Sequence, residues 1–185
     1  MRVLFVCTAN ICRSPMASGL FAKSAHVNGA VGAISASAGF LEGGRPVHPS
    51  VTRLLDERAI DVSRKKSQKI SQDLVDKSDL ILTMTSDHAR GVVSRFPRAI
   101  SDVYTLRHFG TIVTQRPAGV STREWLDDLN VLNRRAYLGD DEILDIPDPI
   151  GRADKVFTEL VIELENSIGW IMGCAYPASS QAKTA

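Results

Sequence analysis

Short apolar runs alternate with amphipathic stretches along this chain. Arg2–Cys7 (RVLFVC), Ala33–Ala38, Asp79–Met84 (DLILTM) and Val103–Leu106 read as strands. Ser14–Val27 sets Met16, Leu20 and Phe21 on one helical face, with Pro15 at a tolerated first-turn position. Pro49–Ala59 carries Val51, Leu54 and Leu55 at helical spacing, and Ser86–Phe96 reads as a helix that stops at Pro97. Ser121–Tyr137 reads as a helix with Ser121 and Glu124 in a capping-box pattern. Asp154–Met172 is the last predicted helix, with Phe157, Leu160, Val161, Leu164 and Ile168 as its apolar stripe. Gly110–Val120 has no period and reads as an irregular surface insertion. Strands alternating with helices predict an α/β fold: one open sheet of about four parallel strands, Rossmann-like, with helices on both faces. One domain is expected over residues 1–174, with residues 175–185 as a disordered tail.

Composition narrows the function. The 185 residues carry a net charge of +1, so nothing global draws the chain to nucleic acid or to an anionic membrane. No window reaches membrane-span length, and a cytoplasmic location is expected. Cys7, Cys12 and Cys174 are an odd number without disulfide-scaffold or zinc-site spacing. No metal or other cofactor is expected, and the oligomeric state is left open.

The chemistry concentrates in Cys7–Pro15 (CTANICRSP). In an open α/β sheet, ligands gather at the carboxyl ends of strands, and Cys7 stands at such an end. The following loop feeds a helix N-terminus, where backbone N–H groups and the helix dipole favour an anion. Arg13 adds a planar fork suited to two phosphoryl oxygens. The same field favours a thiolate at Cys7, placed to attack phosphorus. The leaving oxygen then needs a proton. Asp148, held between Pro147 and Pro149, is the candidate donor, and Asp145 is the runner-up.

Cys7-x-x-Asn10-x-Cys12-Arg13-Ser14-Pro15, followed far along the chain by Asp148-Pro149, resembles the low-molecular-weight protein tyrosine phosphatases. Ser37-Ala38-Gly39, the LILTM strand with His88 behind it, and Phe96-Pro97 keep the same order as that family. The resemblance implies a phosphate-binding loop of Thr8, Ala9, Asn10, Ile11, Cys12, Arg13 and Ser14. It makes Cys7 the nucleophile, Arg13 the phosphate ligand and Asp148 the general acid. Asn10 would hold the loop, Ser37 would buttress Asn10, and Ser14 would hydrogen-bond the leaving thiolate. Cys12 would be a redox partner for Cys7, against a reading as inert packing. The implied partner is a phosphorylated protein.

Three positions depart from the family pattern. Ala9 replaces a loop glycine, at a cost of about 1 kcal/mol if the site needs positive φ. Ser63–Gln68 lacks the histidine that many relatives carry there. Ile150, not an aromatic residue, follows Asp148-Pro149. The body of the chain is similar to the bacterial branch that includes protein-arginine phosphatases, where threonine at the position of Ile11 goes with phosphoarginine. Ile11 therefore favours phosphotyrosine. Arsenate reductase and a non-catalytic phosphate-binding module are more distant readings. Cys174 reads as a residue without special role, His88 as surface or support, Arg64-Lys65-Lys66 as a solvated face, and Trp125 and Trp170 as core or interface residues.

Overall fold

The structure is a computed structural model and describes residues 1–133 and 144–177, side chains 131–133 excepted. The strands are β1 (Arg2–Cys7), β2 (Ile34–Gly39), β3 (Leu80–Thr83) and β4 (Val103–Thr105). The helices are α1 (Arg13–Val27), α2 (Pro49–Asp56), α3 (Gln72–Asp76), α4 (Ser86–Arg95), α5 (Leu106–Ile112), α6 (Thr122–Asn133) and α7 (Asp154–Ala175). The predicted end of the sixth helix at Tyr137, and residues 178–185 of the expected tail, lie outside the described residues.

The strands form one parallel sheet in the order β2-β1-β3-β4. Period-two alternation divides β1 between two cores. Val3, Phe5 and Cys7 face the cluster that holds Met16, Leu20 and Phe21 of α1 and Phe157, Leu160, Val161 and Leu164 of α7. Leu4 and Val6 face a second cluster with Val75 of α3 and Ala89 and Val92 of α4. The sheet is thus covered on both faces, as a parallel sheet requires. Cys7 pairs with Gly39, Val6 with Thr83, and Thr83 with Thr105, so the carboxyl ends of all four strands share one edge.

Three expectations change. Gly110–Val120 is irregular and mostly exposed from Val113 on, as expected, but its first residues belong to α5, which runs to Ile112, and Arg116 anchors the rest by donating its Nε to the Ala175 carbonyl at 2.9 Å. α5 itself was missed because Gly110 interrupts a seven-residue helix that Thr105 caps at its start. Cys174, placed at the very end of the domain, is core: it is 3% exposed in α7, which runs past the predicted end at Met172 to Ala175. The ordered chain also passes residue 174, since the Tyr176 hydroxyl accepts from the Met1 amino group at 3.0 Å. The Ser121–Glu124 capping box forms as expected, each backbone N–H meeting the other side chain at 2.9 and 3.2 Å.

Beyond α2, Ile60 N–H reaches the Leu55 carbonyl and Ala59 N–H the Asp56 carbonyl, at 2.9 and 2.8 Å. This is a Schellman closure with Ala59 in the left-handed position, φ 55°. Alanine is strained there and glycine is not. Ala59→Gly is expected to stabilise the protein by about 0.5–1 kcal/mol. Urea unfolding of the two proteins checks it, and a less stable variant would contradict it.

Candidate active site

β1 delivers Cys7 to the carboxyl edge of the sheet, and the chain turns through residues 8–12 into α1. Cys7 Sγ lies 3.0 Å from Ser14 Oγ. The same hydroxyl accepts from Asn10 Nδ2 at 2.9 Å and lies 3.3 Å from the Ala38 carbonyl. It has one proton to give. With Cys7 as a thiolate that proton goes to sulfur, the shorter of its two contacts.

The positive φ of the loop falls on Asn10, at 54°, and not on Ala9. Asparagine tolerates this conformation, so Ala9 costs nothing there. Asn10 Oδ1 accepts from the Gln68 N–H at 2.9 Å. Gln68 Nε2 in turn donates to the Ser37 carbonyl at 2.9 Å. Support for Asn10 that was expected from Ser37 therefore comes through Gln68, from the stretch that lacks the relatives' histidine. Gly39 closes the loop from β2. A methyl group there would stand 2.7 Å from the Thr8 carbonyl and 2.8 Å from the Asn10 nitrogen, so only glycine lets the loop lie against the strand.

Arg13, the first residue of α1, is buried, 4% exposed. Its guanidinium donates to the Ile146 carbonyl at 3.0 Å and to Asp148 Oδ2 at 2.7 Å. The structure thus brings Arg13 to Asp148 across 135 residues of sequence. Asp148 remains half-exposed, and its other oxygen accepts from the Ile150 N–H at 3.1 Å. Asp145, the runner-up acid, is occupied elsewhere: Oδ1 accepts from the Ser86 N–H and hydroxyl at 2.6 and 3.0 Å. Ile11 is 6% exposed, and its carbonyl accepts from the His48 N–H at 2.9 Å.

Burial, followed by the negative charge of Asp148 and the proximity of Cys7, pushes the Cys12 thiol up to about 12. Cys12 therefore stays protonated near neutrality and is no nucleophile there.

Sequence reasoning placed His88 at the surface or in support, and missed what it touches. It is 8% exposed, with Nε2 2.9 Å from Thr8 Oγ1 and Nδ1 2.8 Å from Thr85 Oγ1, and its ring stacks on Phe40. Its position just past β3, at the carboxyl edge of the sheet, was the available signal. Burial, with Arg13 second, lowers its pKa to about 4, so the folded protein holds it neutral. Between about 4 and the ordinary value of 6.5 the unfolded chain binds the proton and the folded chain does not. Stability is full above that window and falls as pH drops through it. Wild type is expected to lose about 2 kcal/mol more than His88→Asn between neutrality and pH 5, read by urea unfolding. Equal losses would show that His88 is not the group responsible.

A thiol at the end of β1, ringed by a loop that opens a helix whose buried Arg13 pairs with the half-exposed Asp148, defines a cysteine-centred anion site on an open α/β sheet. The comparisons agree with that class. The model of the low molecular weight phosphotyrosine protein phosphatase family matches residues 2–122, and the chain belongs to this family. The probable low molecular weight protein-tyrosine-phosphatase EpsP of Ralstonia nicotianae is 38% identical over 104 residues, 56% of this chain and 69% of that protein. The protein-arginine-phosphatase of Bacillus subtilis is 32% identical over 111 residues, 60% of this chain and 73% of its own. An arsenate reductase of Halalkalibacterium halodurans is 30% identical over 157 residues, 85% and 94% of the two chains. The crystal structure of a low molecular weight protein tyrosine phosphatase from T. tengcongensis superposes with a TM-score of 0.71 at 28% identity, over 93% of this chain and 97% of that one. No helix among the described residues is long and apolar enough to cross a membrane.

Proposed function

We propose that this protein hydrolyses phosphotyrosine in proteins through a cysteinyl-phosphate intermediate on Cys7. The observation that carries the reading is the convergence of Cys7, Ser14, Arg13 and Asp148 around one anion cradle. In the first step Cys7 sulfur attacks phosphorus, the phosphorus–oxygen bond to the tyrosine breaks, and Asp148 gives its proton to the leaving phenolate. Arg13 and the loop N–H groups hold the equatorial oxygens as charge develops. In the second step Asp148 takes a proton from water, the water oxygen attacks phosphorus, and Cys7 leaves as a thiolate that Ser14 hydrogen-bonds. Asn10 keeps the loop shape, while Thr8, Ala9, Ile11 and Cys12 complete it. A reducing, cytoplasmic setting suits three cysteines that are all free.

Two other chemistries have relatives behind them. Phosphoarginine is the alternative substrate, since relatives include protein-arginine phosphatases. Ile11 weighs against it, because it brings no hydroxyl to the loop to order water. Arsenate reduction needs a further cysteine to relay a disulfide. Cys174 stands near the Met1 end of the sheet, since it lies in the α7 turn that leads to Tyr176 and its bond to Met1. Cys7 lies at the opposite end of six-residue β1, about 15–20 Å away. A disulfide needs Cα atoms within about 7 Å, so Cys174 is out of reach.

Phosphotyrosine and phosphoarginine peptides assayed side by side test the choice. Phosphotyrosine is expected to be turned over faster by wild type. Ile11→Thr is expected to move the kcat/KM ratio toward phosphoarginine by roughly 10-fold or more. An unmoved ratio would remove Ile11 as the ground for the choice.

A further inference from the structure

The loop that carries Asp148 is tied down on its amino-terminal side by residues outside the phosphate cradle. Arg107, second residue of α5, holds the Glu163 carboxylate of α7 with Nε at 2.6 Å and Nη2 at 3.0 Å. This two-point contact fixes the plane of the guanidinium. The remaining Nη1 donates to the Asp145 carbonyl at 2.5 Å. The Asp145 side chain is gripped in turn by Ser86 at the start of α4, and the Ile146 N–H bonds the Met84 carbonyl at 2.7 Å. Between Asp145 and Asp148 the chain has little freedom, because Pro147 and Pro149 fix φ on both sides of Asp148.

We propose that the Arg107–Glu163 pair is a latch that positions the Asp148 carboxyl over the leaving group, which makes Arg107 a positioning residue that acts through Asp148. The inference rests on the reading of Asp148 as the general acid. Both partners of the latch have side chains about one-third exposed, 31% and 33%. A partly exposed pair contributes little to overall stability. Displacement of a reacting group by about 1 Å, in contrast, costs on the order of 100-fold in rate. The latch is therefore expected to register in proton transfer far more than in folding.

The test measures kcat/KM of the full chain on aryl phosphates of rising leaving-group pKa, from 4-nitrophenyl phosphate to phenyl phosphate. A phenolate of high pKa departs only with a proton; 4-nitrophenolate departs without much help. Arg107→Met and Glu163→Gln are expected to lower kcat/KM on phenyl phosphate by about 10–100-fold and on 4-nitrophenyl phosphate by a few-fold at most. Inhibition by inorganic phosphate should stay unchanged. Arg107→Met placed on Asp148→Asn should cost nothing further, because both act on the same proton. An equal fall on every substrate, unchanged rates, or full additivity with Asp148→Asn overturns the latch. If Arg107→Met does not fold, Glu163→Gln carries the same test. The two readings separate cleanly. If Asp148→Asn lacks the leaving-group dependence, the acid assignment fails and the latch with it. If only the latch variants lack it, the latch alone fails.

Discussion

Cys7→Ser is expected to abolish turnover, by at least about 10⁴-fold in kcat on any aryl phosphate. The reason is chemical, not structural. A serine hydroxyl fits the space, but it is a far weaker nucleophile than a thiolate, and among the described residues its hydrogen-bond neighbour is a hydroxyl and not a base. Ser14 is its near neighbour at 3.0 Å and is itself a hydroxyl, hydrogen-bonded by Asn10. The variant should keep its fold and its affinity for inorganic phosphate, since Arg13 and the loop N–H groups are unchanged. Cys12→Ser is the matched control. Its buried thiol, pushed up to about 12, carries no negative charge to lend, so most activity should survive. Phosphate release assays on the two variants decide the point, and comparable losses in both would contradict the assignment of the nucleophile.

Asp148→Asn is expected to lower kcat/KM on poor leaving groups by about 10²–10⁴-fold, the usual contribution of a placed general acid. The amide preserves shape but has no acidic proton for the leaving oxygen. It also cannot take a proton from water in the second step, so kcat should fall even where the leaving group is good. Inhibition by inorganic phosphate should weaken little or strengthen. In the structure the Asp148 carboxylate occupies one end of the Arg13 fork at 2.7 Å, and an amide there competes less with an incoming anion. A variant with an unchanged pattern across leaving groups would mean that the proton comes from elsewhere. Asp145 is poorly placed to supply it, held as it is by the Ser86 N–H and hydroxyl.

Much of this architecture was legible in the sequence, because the signals were local. Uniform hydrophobic runs marked the interior strands β1 and β3. The Ser121–Glu124 pair announced the start of α6, and CTANICRSP marked a strand end that runs into a helix. Long-range contacts were not legible. No pattern in the sequence joins Gln68 to Asn10, Arg107 to Asp145, or His88 to Thr8, because such contacts are fixed by the way the loops fold over the sheet edge. Short elements failed for a different reason. α3 has five residues and α5 seven, too few for a 3.6-residue period to repeat. The last helix was ended too early, at Met172, and α7 carries the chain on to Ala175. For Ala9 the sequence left open whether the site needs positive φ, and the structure puts the left-handed turn one residue later, on an asparagine that accepts it.

The central claim is a covalent bond between Cys7 sulfur and phosphorus, formed and broken in each turnover. Acid quenching within the first turnovers on 4-nitrophenyl phosphate, followed by proteolysis and mass spectrometry, reads it directly. The expected result is one phosphoryl group on the peptide that contains Cys7, and none on the same peptide from Cys7→Ser. Phosphate released at full rate with no phosphorylated cysteine trapped, or a phosphoryl group found on Cys12, would contradict the account.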